Sequence, residues 1–175
     1  MIGHELMGPS ASAARDLLLY TLWADRHVMA AVREVREEDL TRASGVSFGS
    51  MLGTLAHILG SQRTWLSRFQ GISLDRVPSI QDFPDRMTWI LGWEETASQI
   101  GAFLAALTDE QLAAPITWTT TKGETYNRPL WQPLMHMVNH STYHRGQVVS
   151  LLCQMGYAAP STDLIYYFHE RAATG

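Results

Sequence analysis

The chain has 175 residues, of which 46% are apolar and 17% charged, with a formal net charge of −4 and a pI near 5.9. That length reads as one domain, residues 1–175, able to bury roughly 70% of the surface its unfolded form exposes, and the composition excludes intrinsic disorder. A single lysine, Lys122, and scattered arginines make no basic stripe for nucleic acid, no apolar run approaches the ~18 residues of a membrane span, and the opening Met1–Leu6 segment lacks the basic start and apolar core of a signal peptide.

Residues 1–9 read as an arm ending at Pro9. Ser10 or Ser12 is placed to cap a first helix, whose apolar residues recur at helical spacing from Leu17 through Val28 to Val35. Thr41–Gly49 reads as a loop. A second helix follows from about Ser50 to Phe69, with Leu55, Ile58, Leu59, Gln62, Trp65 and Leu66 along one stripe, and Gly71 stands where a C-terminal glycine belongs. Residues 71–83 form a connector long enough for a crossover along a bundle. Asp82 is expected to start the third helix, with Pro84 in its first turn. Thr108–Gln111 matches a capping box for one short turn. The Thr-, Trp- and Tyr-rich stretch 116–126 around Lys122-Gly123 reads as a β-hairpin. A fourth helix runs from about Leu130 to Met155, and a short one from Leu164 to about Arg171. The fold class expected is all-α: a four-helix bundle with a small β-hairpin before the last long helix and a short C-terminal helix.

Seven histidines occur, and three of them, His136, His140 and His144, recur four apart in the fourth helix. Residues at i and i+4 share a helix face, so a pair of imidazoles can grip one ion. All three cannot, because the outer two are about 12 Å apart along the axis. At roughly 100° per residue from Leu134, the apolar face covers about 60° on either side; His144 falls near 80° away, His140 near 120° and His136 near 160°. His140 and His144 are therefore the inward pair and His136 a rim residue. A zinc site needs a third protein ligand. His57 is the best candidate, on a second-helix face of small residues (Ser50, Gly53, Thr54, Gly60, Ser61, Thr64) that leaves room for a neighbour. His27 is its rival; His4 and His169 lie in terminal segments. A solvated or packed histidine pair with no ion is the alternative. Cys153, the one cysteine, lies about 100° from Leu134 on the other side, reads as a packed thiol, and fits the reducing cytoplasm.

The run Asn139-His140-Ser141-Thr142-Tyr143-His144-Arg145-Gly146-Gln147 closely resembles the signature of the DinB-like family of metal-binding helical bundles. Leu22-Trp23-Ala24-Asp25-Arg26, Leu55-Ala56-His57-Ile58 with Trp65, Gly123–Tyr126 and Asp163–Tyr167 are similar to other segments of that family. The resemblance implies a four-helix bundle holding a divalent metal on His57, His140 and His144. It also implies a metal-dependent enzyme acting on a small-molecule substrate, either a hydrolase or a transferase of a low-molecular-weight thiol. A non-catalytic metal-binding or sensing module is the alternative. Zinc is the first expectation for the ion and nickel the second. A ligating histidine passes its other N–H to a carboxylate or carbonyl; Asp25 is a candidate for that role, against a surface pairing with Arg26 or Arg33. Arg145 is a candidate for binding an anionic group, against a structural salt bridge. Tyr143 is a candidate proton donor, against packing. The family habit and the low charge content imply a homodimer, with no nucleic-acid or membrane partner.

Overall fold

The computed structural model describes residues 8–174; the arm at residues 1–7 and His4 lie outside them. Nine elements follow in order: α1 (Ala11–Arg33), α2 (Glu37–Thr41), α3 (Met51–Phe69), α4 (Arg86–Ala106), α5 (Asp109–Ala113), β1 (Pro115–Thr119), β2 (Thr125–Pro129), α6 (Trp131–Gln154) and α7 (Leu164–Thr174). The four long helices close a ring in which α1 packs on α6, α6 on α3, α3 on α4 and α4 on α1. Side-chain contacts fix their directions. His57 meets His144 and Trp65 meets His136, so α3 and α6 are antiparallel. Arg15 reaches Leu104 while Arg33 reaches Glu94, so α1 and α4 are antiparallel. Trp89 reaches Leu55 and Phe103 stacks on Phe69, so α3 and α4 are parallel.

The bundle therefore runs up, down, down, up. Between α3 and α4 the chain must return the whole length of the bundle, and residues 70–85 are the crossover that the long connector predicted. The crossover departs at a Schellman turn: Ile72 N–H donates to Ser67 O and Gly71 N–H to Arg68 O, with Gly71 at φ +79°. It then lies directly on α3. A Cβ at Gly60 would stand 1.9 Å from the Pro78 carbonyl oxygen, so only glycine lets the two backbones approach this closely. Arg76 and Asp82 form an ion pair across its turn, with Ser79 N–H donating to Asp82, and both groups hold the Asp82 carboxyl below its ordinary range. Asp82 is thus committed inside the crossover and does not cap α4. Asp85 does: Thr88 N–H donates to Asp85 Oδ1 at 2.8 Å. The helix starts later than expected because the residue before a proline is steered out of the helical region, which places Phe83 and Pro84 ahead of the cap.

Ser10 caps α1, and Thr108 with Gln111 closes the capping box of α5. The strands pair antiparallel from Pro115 opposite Pro129 to Thr119 opposite Thr125. The short α2 was not visible as an apolar stripe; its first turn is Glu37, Glu38 and Asp39, acids at the positive end of the helix dipole. Cys153 is exposed and not packed as expected: on the wheel it stands at the edge of the buried face, and no neighbouring helix covers it. No helix among the described residues is long and apolar enough to cross a membrane.

The main core is in two apolar halves, beside a smaller cluster of Tyr20, Trp23, Ala24 and Tyr167. One gathers Val28, Val32, Leu55, Leu59, Trp89, Val148 and Leu152; the other gathers Leu18, Leu66, Ile100, Leu104, Leu134 and Met137. Between them lies a layer of buried polar side chains: Asp25, Gln62, Thr96, Ser141, His144 and Arg145.

Replacing Gly60 by alanine forces the crossover off α3. Overpacking of this kind costs about 1–3 kcal/mol, more than the helix propensity gained. Urea unfolding of Gly60→Ala is expected to show a lower midpoint than wild type.

Candidate metal centre

Three imidazoles meet in the polar layer. His57 comes from the middle of α3; His140 and His144 come from successive turns of α6. Ring centroids are 4.8 Å apart for His57–His140, 4.6 Å for His57–His144 and 4.5 Å for His140–His144. One ring nitrogen from each lies within 4.8 Å of the other two. The Nε2 atoms of His57 and His140 are 3.0 Å apart, close to the roughly 3.3 Å that two nitrogens each 2.0–2.1 Å from a tetrahedral zinc would show.

The donor set also fits a divalent ion electronically. An imidazole binds metal as the neutral base. Burial pushes His57 down to about 4, with the neighbouring His144 adding to the effect. Burial pushes His140 down to about 3, with His144, His57 and His136 adding. Both rings are therefore unprotonated at neutral pH. The Nδ1 of His144 stands 2.9 Å from Gln147 Oε1; that oxygen can only accept, so Nδ1 donates to it, which leaves Nε2 as the ring nitrogen able to bind an ion. Gln147 in turn reaches Ser47 Oγ at 3.5 Å, which links the ligand face to the loop before α3. From that loop Phe48 stacks on His57, centroids 3.7 Å apart and planes at 16°, and lies 5.3 Å from His144.

The other histidines among the described residues stay apart from this cluster. His136 is exposed, one turn away from His140 at 5.6 Å between rings, with its edge on Trp65. His27 bonds the Trp23 carbonyl within α1, and His169 lies against Tyr166 on α7.

Asp25 neither receives a ligand N–H nor sits on the surface. It is 5% exposed, accepting from Arg145 Nη1 at 2.9 Å and from Gln62 Nε2 at 2.6 Å. Arg26 and Arg33 are not its partners. Arg145, 1% exposed, also donates to Thr142 and lies over the Tyr20 ring, so its charge is spent inside the bundle. Gln62 donates a second bond to Ser141 Oγ. Tyr143 is 64% exposed, with its ring edge on His144 and no core contact of its own. Sequence reasoning passed over Gln147, Gln62 and Phe48. Gln147 follows His144 by three, on the same face, and Gln62 is the one polar member of an apolar stripe; both were visible signals. Phe48 sits in an irregular loop and gave none.

Residues 7–173 match the model of the DinB family. The chain belongs to the DinB family. Among its relatives is Protein DinB of Bacillus subtilis (strain 168), 26% identical over 159 residues, an alignment covering 88% of this chain and 92% of that protein. The crystal structure of a DinB-like protein from Bacillus cereus ATCC 10987 superposes with a TM-score of 0.59 at 21% identity, covering 83% of this chain and 94% of the other. That likeness shows a shared fold. The family membership and the three-histidine cluster together make a site able to bind a metal ion.

The metal-free protein is expected to lose stability on acidification. The folded-state values of His57 and His140 lie below the ordinary 6.5, so between pH 6.5 and about 3 the unfolded chain binds more protons and stability rises with pH. Chemical unfolding across that window, compared with the His57→Gln, His140→Gln double variant, should show a slope approaching two protons that the variant lacks. Separately, Asp25→Ala strands a buried guanidinium. It is expected to lower the unfolding free energy by about 3–5 kcal/mol, and Arg145→Met in the same chain should restore much of the loss.

Proposed function

We propose that His57, His140 and His144 hold a divalent ion, zinc in first place and nickel in second, and that the protein is a metal-dependent enzyme acting on a small molecule. The reaction is hydrolysis or transfer of a low-molecular-weight thiol. The convergence of three imidazoles from two helices, two of them held neutral by burial, carries this reading. Three protein ligands are what reactive zinc sites use, with a further position left for water or substrate. An ion bound there would supply Lewis acidity, so that a coordinated water or thiol loses its proton near neutral pH. The protein's own groups do the rest. Gln147 fixes the His144 tautomer, the apolar halves of the core limit solvent around the rings, and Phe48 closes one side of His57.

One observation favours the second reading, a non-catalytic metal-binding or sensing module. Among the described residues no carboxylate hydrogen-bonds to any of the three rings, and Asp25, the nearest candidate by sequence, is paired with Arg145 instead. The two readings part on turnover of esters and thiol conjugates by the metal-loaded protein.

Purified protein is expected to carry about one zinc or nickel per chain by elemental analysis. At a free zinc concentration 100 times the dissociation constant, the gain in stability should be about 2.7 kcal/mol. His144→Ala should abolish the bound metal, that gain and any turnover. Turnover that survives complete loss of metal would refute the enzyme reading as stated.

A further inference from the structure

Beside the triad the crossover and α3 enclose an open cleft of about 330 Å³. Among the described residues its walls are Phe48, Gly53, His57, Val77, Pro78 and Ile80, with Ser79 as the only hydroxyl and no charged group. Two features tie the cleft to the histidines. His57 belongs to both, and so does Phe48, whose ring lies on His57 and near His144. Two further features make the cleft a built one. Gly60 allows the crossover backbone to rest on α3, which sets Val77 and Ile80 opposite the helix. Gly53 does the same for the loop: a Cβ there would stand 2.2 Å from the Phe48 carbonyl oxygen. The result leaves Val77 38% and Ile80 41% exposed around a concave apolar surface. Ligand pockets are concave, mostly apolar and at least ~300 Å³, so this one has room for one short alkyl chain or one ring.

We propose that this cleft receives an uncharged alkyl or aryl group of the small molecule whose reacting atom faces His57, His140 and His144. The inference rests on the metal reading for the second half of that statement and not for the first. An apolar group entering the cleft covers Phe48, Val77 and Ile80, and the lining offers no charge to balance an ionic substituent. The substrate is accordingly amphiphilic: a metal-seeking head, such as a thiol, on a small apolar body.

The test uses n-alkylthiols from ethanethiol to hexanethiol, kept reduced, with binding to the full chain measured by calorimetry both zinc-loaded and metal-free. Each methylene buried in the cleft is expected to tighten binding roughly fourfold, in both forms, until the cleft is full. Zinc is expected to tighten every member of the series by a similar factor. Ile80→Asp, an exposed position on the crossover, should flatten the dependence on chain length while keeping the zinc effect and the melting temperature. Ile165→Asp, exposed on α7, should keep both. A flat series in wild type overturns the cleft, whatever zinc does, and so does a slope that Ile80→Asp leaves unchanged. A slope with no gain from zinc upholds the apolar cleft and overturns the placing of a thiol head at the three histidines, while metal binding itself is read separately by elemental analysis.

Discussion

The ion pair between Asp25 and Arg145, buried at mid-height of the bundle, is the constraint on which the geometry of the site depends. Taking two charges out of water is costly, and the attraction between them returns that cost only with good geometry and further hydrogen bonds. Here the bonds come from Gln62 on α3 and from Thr142 on α6, with Ser141 completing the set. Slide α3 against α6 by one turn and Gln62 loses both Asp25 and Ser141. Ser141 and Arg145 directly follow His140 and His144, so the register that satisfies the polar layer is also the one that aims the two rings at His57. The pair contributes specificity of alignment more than net stability.

The site inherits its electronic state from the same layer. Partial burial takes water from His57 and His140, and the neighbouring bases oppose protonation of these two rings. Neutral rings at His57 and His140, a fixed tautomer at His144 and near-contact nitrogens follow from burial and packing, with no carboxylate hydrogen-bonded to the rings among the described residues.

Much of this was legible in the sequence, for identifiable reasons. Helical spacing and local caps depend on residues within four positions of one another, and they located α1, α3, α6, the hairpin and the α5 capping box. The i, i+4 spacing and the wheel separated His136 from His140 and His144. The motif and its family supplied His57, which periodicity alone left in competition with His27. What was not legible depends on partners far apart in the chain. Asp25 and Arg145 are 120 positions apart, so the burial of Asp25 had no local sign. Asp82 and Asp85 both precede a helical stripe, and only the ion pair with Arg76 inside the crossover separates their roles. The placement of Phe48 over His57 depends on the close approach of a loop to Gly53, which a sequence pattern does not encode.

The crossover has a broader consequence. Its residues carry no long helix or strand; they rest on the bundle at Gly60 and through Phe83, which packs against Gly92, and the Arg76–Asp82 ion pair braces the turn from within. The side chains at 77 and 80 therefore belong to an exchangeable cassette: selection can rewrite them without disturbing the four helices or the alignment of the three rings.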